Sequence, residues 1–322
     1  MKNNETKHSD LRQGNSVIYE YAAMKRGEAT RVFWFGTLLM LFSAVPAVRA
    51  QERQVDPTWL YRYLPGLNYT EVDLTSASCH YRAVFGEGDS EVRVLKSVAR
   101  FGEAALDPSG ECQSVQYARK EELYFVLDGE GTLQYGDRAY PLRASDFTYI
   151  APGVKHSIEN HSQSALHVAV MTFKVPSSIS ISAAPPQPKI VNLRELKEQT
   201  VEGHPTSVLY KLLAGPRRGT RDAIDQAYVV VSLFWMDFAP GGTNFPHHHE
   251  AAEEIYLVVD GHGEMVAGGG MDGVEGRHPA QAGDAYYFRS NCTVGFYNQN
   301  QPGAKAHILA VRSRIQLPKD ED

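Results

Sequence analysis

An eleven-residue segment occurs twice and constrains this chain more than any other feature. Residues 121–131 read EELYFVLDGEG and residues 253–263 read EEIYLVVDGHG, identical at seven positions. A second pair follows each copy: LRASDFTYIAPGVKHSIEN at 142–160 and AQAGDAYYFRSNCTVGFYN at 280–298. Two copies of one unit in 322 residues predict two related domains of about a hundred residues each. The stretch VPSSISISAAPPQPK at 175–189 lies between them and has the Ser, Pro and Ala content of a connection.

The local pattern within each copy predicts β structure. VRVLKSVARF, ELYFVLDG, TLQYGD, DFTYIAP and LHVAVMTF are short, rich in β-branched and aromatic residues, and punctuated by Gly, Asp or Pro. The second half answers with YVVVSLFWMDFAP, EIYLVVDG, DAYYFRS and HILAVRS. Strand centres without charge imply that both faces are covered, as when two sheets pack. Apart from the N-terminal region, a short helix near Leu193–Thr200 is the one helical expectation.

Lys25, Arg26 and Arg31 precede an uncharged run from Val32 to Val48, and small residues lead to Ala50. That order predicts a secretory signal peptide cut after Ala50, with a periplasmic or secreted product. An uncleaved anchor is the alternative, but the run is short for a span of about 20 residues. No stable membrane span is expected after cleavage. Met24 is a natural start, which sets residues 1–23 apart as an extension. Export permits a disulfide, and Cys79 with Cys112 is the pair to test, leaving Cys292 over.

Charge removes one class of partner. The first fifty residues hold seven of the 32 Lys/Arg and four of the 38 Asp/Glu, so the remainder carries 25 basic and 34 acidic side chains. A body with a net charge of −9 repels phosphate backbones, and nucleic acid is excluded. A small molecule is the expected ligand. GxSxG, HExxH and phosphate-loop signatures do not occur.

One segment carries chemistry: GGTNFPHHHEAAEEIYLVVDG from Gly241 to Gly261. On an extended strand His247 and His249 face one way and His248 the other, and a short turn brings Glu254 alongside. Two imidazoles and a carboxylate on one side of a divalent ion leave open positions for water or substrate. The spacing Gly241, His247, His249, Glu254, Gly261 resembles the first motif of the cupin superfamily at every defined position. The resemblance implies an all-β fold of two tandem cupin barrels (double-stranded β-helix, jelly roll). The implied boundaries are residues 51–174 for a first barrel, 175–204 for a linker and 205–322 for a second barrel, after an N-terminal region at 1–50. It further implies one divalent ion (Mn²⁺, Fe²⁺ or Zn²⁺) at His247, His249 and Glu254, and a homodimer through outer sheets as an open expectation.

The second cupin motif departs from the family pattern. Gly283 and Asn298 keep the ends, but Arg289, Asn291 and Val294 stand where Pro, Gly and the fourth metal ligand His are expected. The site is therefore a three-ligand triad or a vestige. Tyr256, Tyr287, Asn298 and His262 are candidates for substrate contact or an extra ligand, and Arg289 for an anion at the barrel mouth. In the first copy Val115 and Tyr117 take the histidine positions, while Glu122, Gly153, His156 and Asn160 persist. Glu122 and His156 form a degenerate site, expected to bond to each other rather than to a metal.

Cupins include dioxygenases, decarboxylases, isomerases and hydrolases, so the fold alone does not choose a reaction. The architecture is similar to bicupins of the ureidoglycine aminohydrolase type, in which the C-terminal barrel binds manganese. That family has Glu at the first metal position, His where Glu254 stands and Gln as fourth ligand. The expectations are a metal-dependent enzyme on a small polar organic substrate, or a non-catalytic binder of a small ligand such as a sugar or organic acid.

Overall fold

The structure, a computed structural model, describes residues 56–269 and 274–315. The expected signal peptide and residues 270–273 lie outside the described residues. Among the described residues the helical structure is confined to single 3-10 turns at Leu64–Gly66, Val92–Val94 and Leu193–Glu195. The helix expected near Leu193–Thr200 is thus one turn, with the Asn192 side chain accepting a hydrogen bond from the Arg194 N–H at 3.1 Å. No helix among the described residues is long and apolar enough to cross a membrane.

Among the described residues twenty strands form four sheets, two for each half. A six-stranded and a four-stranded sheet make the first barrel, and a seven-stranded and a three-stranded sheet make the second. The repeated segment supplies the same central strand to both, Lys120–Asp128 and Ala252–Asp260. Each then turns at a Gly in the left-handed region, Gly129 (φ 87°) and Gly261 (φ 87°). A Cβ at Gly261 would stand 2.2 Å from the Lys305 carbonyl oxygen, so no other residue fits there.

The large sheets are buried on both faces, which explains why apolar residues dominate their strands. In the second half Tyr256, Tyr286, Phe288, Met236 and Ile308 fill the barrel. Alternate residues (Ile255, Leu257, Tyr287, Leu309 and Val311) join the core shared with the first half. Phe125 of the first half stacks on Trp235 of the second at 5.9 Å.

The two halves are also tied by strand exchange. Trp59–Tyr63 precedes the first repeat yet pairs antiparallel with Asp284–Phe288 of the second barrel. Ile190–Asn192 precedes the second repeat yet pairs with Asp146–Thr148 of the first. The 3-10 turn after each strand makes the same bond, Leu64 N–H to Gly283 O and Leu193 N–H to Ser145 O, both at 2.9 Å. Part of the segment read as a linker therefore completes the first sheet.

The first Glu of each repeat serves this junction. Glu121, fully buried, accepts from the backbone N–H groups of Tyr228, Val229 and Val230 at 2.6–2.9 Å and from the Tyr149 hydroxyl. Glu253 accepts from the N–H groups of Lys96 and Ser97 and from the Tyr287 hydroxyl. Burial raises the Glu121 carboxyl above its usual range, opposed by the backbone donors. Cys79 and Cys112 form a disulfide with Cα atoms 4.9 Å apart, closing 33 residues of the first half. Such a closure stabilises by about 3 kcal/mol by restricting the unfolded chain.

Candidate metal centre

The chain approaches the site from Gly241 as an extended segment rather than a regular strand. Thr243 bridges Tyr297, and His247 bridges Val294 through paired backbone bonds of 2.9 and 2.8 Å. Alternation still decides the side chains: His247 and His249 are half-buried, while His248 is exposed. Glu254 lies on the strand Ala252–Asp260, opposite Phe288 on one side and Arg312 on the other.

One ligand atom from each of His247, His249 and Glu254 lies within 4.8 Å of the others. His247 Nδ1 is 2.9 Å from the Phe245 carbonyl, so Nδ1–H donates there and Nε2 keeps its lone pair. Burial lowers the His247 pKa, which favours the neutral imidazole that a metal needs. Burial alone would raise the Glu254 carboxyl, but His249 beside it, with Arg312 and His247, takes it below its usual value. Glu254 is buried and its Oε2 makes no hydrogen bond, lying 3.3 Å from His249 Nε2. An orphaned carboxylate oxygen beside two imidazoles fits a divalent cation in charge and donor type.

His247 and Glu254 open onto a pocket that is also lined by His204, Tyr210, Phe234, Tyr256, Arg221 and Arg312. Tyr256 was read as a substrate contact and lines this pocket, its hydroxyl accepting from Asn244 Nδ2 at 3.0 Å. The Tyr210 hydroxyl is buried there without a hydrogen bond.

The other substrate candidates are placed elsewhere. Tyr287 faces the first half, because strand alternation puts Tyr286 and Phe288 inside the barrel; its hydroxyl serves Glu253. Arg289 turns to the Asp56 and Pro57 carbonyls at 3.4 and 3.3 Å. Asn298 clamps a turn, donating to the carbonyls of Phe238, Ala239 and Ala304. Asn160 does the same in the first half with Leu106, Asp107 and Ser164, so this Asn is structural in both. His262 is exposed at the start of its strand. Asn291, where Gly is expected, keeps the left-handed conformation at φ 64°, which Asn tolerates. Val294 is buried in the barrel core and offers no donor.

In the first barrel Glu122 and His156 meet at 2.5 Å between Oε2 and Nε2. The Thr172 hydroxyl donates to the other carboxylate oxygen at 2.6 Å. Tyr117, at a histidine position, sends its hydroxyl to Asp73 at 2.7 Å. One Glu122 oxygen is thus taken up by a hydroxyl, while its Oε2, like that of Glu254, makes no hydrogen bond and faces a histidine, here at the shorter distance.

Among the pocket residues that escaped the sequence reading, three carry a basic side chain. His204 lies at the end of the presumed linker; its Nδ1 is 2.9 Å from the Asn244 carbonyl and its ring is 5.1 Å from that of His247. Arg221 is paired with Asp222 at 3.1 Å and bonds Ser232 at 3.0 Å. Arg312 lies 3.0 Å from His249 Nε2. Arg312 was discoverable: in HILAVRSR it has the parity of the inward-facing Ile308 and Ala310.

Comparison with known proteins agrees with this fold. The cupin domain family matches at residues 102–173 and 234–311, one segment in each barrel. No curated protein matches the sequence. Among solved structures, a putative glyoxylate induced protein from Pseudomonas aeruginosa superimposes with a TM-score of 0.63 at 14% identity, covering 85% of this chain and 94% of its own. YlbA from E. coli gives 0.60 at 12% identity, covering 82% and 94%. The oxalate decarboxylase of Lactobacillus farciminis gives 0.57 at 14% identity, covering 80% and 86%. At such identities the likeness speaks for the fold. With one cupin domain in each of two tandem barrels, the chain belongs to the cupin superfamily as a bicupin.

Proposed function

We propose that this bicupin is an exported, metal-dependent enzyme that transforms a small polar organic substrate in its C-terminal barrel. The observation that carries the proposal is the convergence of His247, His249 and buried Glu254, with one ligand atom of each within 4.8 Å of the others. These three residues would hold one Mn²⁺, Fe²⁺ or Zn²⁺, which supplies Lewis-acid polarisation of a bound oxygen, or redox chemistry if iron. The chain's own residues do the rest. Tyr210 and Tyr256 place hydroxyls on the pocket wall, while Phe234 and Leu212 keep part of it apolar and dry. The similar fold of an oxalate decarboxylase supports metal-dependent chemistry on a small substrate. Export is supported by the apolar run at 32–48 and by the Cys79–Cys112 disulfide.

Val294, in the fourth ligand's place, favours a second reading, a binder that holds its ligand unchanged. Elemental analysis of chain purified from residue 51 onward, with a turnover screen of small polar compounds, tests both. The enzyme reading expects near-stoichiometric metal, lost in His247→Ala and Glu254→Ala together with turnover. Metal absent after soaking in all three ions would sink it. Metal bound with ligand recovered unchanged would establish the binder.

A further inference from the structure

We infer that the C-terminal pocket is built for an anion, a small carboxylate that chelates the metal and pairs with Arg312. The inference rests on the metal reading above and names its substrate class.

Charge balance gives the argument. Three charged side chains line the pocket: Glu254, Arg221 and Arg312. Arg221 is neutralised by Asp222, through contacts of 3.1 and 3.2 Å. Among the described residues Arg312 enters no ion pair with a carboxylate within 4.0 Å; its guanidinium lies 3.3 and 3.0 Å from the two His249 ring nitrogens. A donor that close to both nitrogens lies over the ring face, so a divalent ion on an in-plane lone pair of His249 would leave the guanidinium donors free. The pocket would then hold charges of +2 and +1 against the single −1 of Glu254. Two cations at that range in a partly buried site repel unless an anion lies between them. A carboxylate meets both demands, one oxygen on the metal and one on the planar fork of the guanidinium.

The walls define the rest of the ligand. A second oxygen on the neighbouring carbon would chelate the ion, and Val201, Leu212 and Phe234 would receive a short apolar group. This describes a 2-hydroxy or 2-oxo acid. The first barrel shows the closed counterpart: buried Arg100 is ion-paired to Asp73 at 2.8 Å and to Glu87 at 2.6 Å.

Calorimetry of the full chain tests the inference, first with Mn²⁺ and then with lactate or its neutral isostere lactamide. Mn²⁺-loaded wild type should bind lactate and not lactamide. Arg312→Gln should weaken lactate about ten- to hundredfold, and Arg312→Lys should recover part of the loss. Mn²⁺ should bind Arg312→Gln as tightly as wild type or more tightly, because a repelling charge has gone. Equal lactate affinity in wild type and Arg312→Gln would overturn the proposal, as would Mn²⁺ loss in that variant, which would make Arg312 a structural support. Wild type that binds Mn²⁺ but not lactate overturns this inference alone. Wild type that takes up no Mn²⁺ overturns the metal reading and this inference with it.

Discussion

The two barrels place the same chemistry in one row across three neighbouring strands, with two members exchanged. In the first barrel the row runs Glu122, Thr172, Arg100; in the second it runs Glu254, Arg312, Ser232. With Thr172 in the middle, its hydroxyl satisfies Glu122, and Arg100 is drawn off to Asp73 and Glu87. With Arg312 in the middle, Glu254 receives no hydroxyl, and Ser232 is taken up by Arg221 instead. One barrel gives its carboxylate a hydroxyl donor and a histidine at 2.5 Å; the other gives its carboxylate no hydroxyl and a histidine at 3.3 Å. The two barrels thus share the motif Glu and differ in the hydroxyl beside it and in the two histidines, which the first barrel replaces with Val115 and Tyr117.

The largest expected effect tests what the barrels share. Glu121→Ala leaves three buried N–H groups without an acceptor and should cost about 3–5 kcal/mol in urea unfolding. Glu253→Ala should cost a similar amount, and a loss below about 1 kcal/mol in either would break the symmetry of the junction.

The next tests divide the barrels. Glu254→Gln should weaken metal binding by about a hundredfold, whereas Glu122→Gln should leave it unchanged, as read by metal titration. Thr172→Val removes the hydroxyl bonded to Glu122 and should destabilise the chain by about 1.5–3 kcal/mol. Metal uptake by the first barrel of that variant would show that this hydroxyl, rather than the absent histidines, keeps metal out.

The smallest effect is a pH dependence. Burial alone would lower the His156 pKa, but the hydrogen bond and charge of Glu122 raise it above the usual histidine value. A raised folded-state value contributes stability below the unfolded pKa of about 6.5, lost as pH rises through the folded value. Thermal unfolding should therefore show a larger gap between wild type and His156→Gln at pH 6 than at pH 9. A gap that grows with pH would contradict the ion pair.

Much of this was legible in the sequence because strand alternation and turn glycines are local. The repeat gave both central strands, and the spacing from Gly241 to Gly261 gave the triad. Tyr287 was misplaced because the sequence shows strands covered on both faces without saying which face is barrel and which is junction. Pairing settles it: Glu254 faces inward opposite Phe288, so Tyr287 faces the other half. Glu121 and Glu253 were hidden for the same reason, since their acceptors' partners lie about 107 and 157 residues away. The exchange of Trp59–Tyr63 and Ile190–Asn192 is long-range as well, with no local pattern to announce it.

Anomalous diffraction from crystals of the chain soaked in Mn²⁺ tests the central claim most directly, because it locates the ion. The open-row account predicts one peak per chain, between His247, His249 and Glu254. A peak between Glu122 and His156, or none in either barrel, would contradict it.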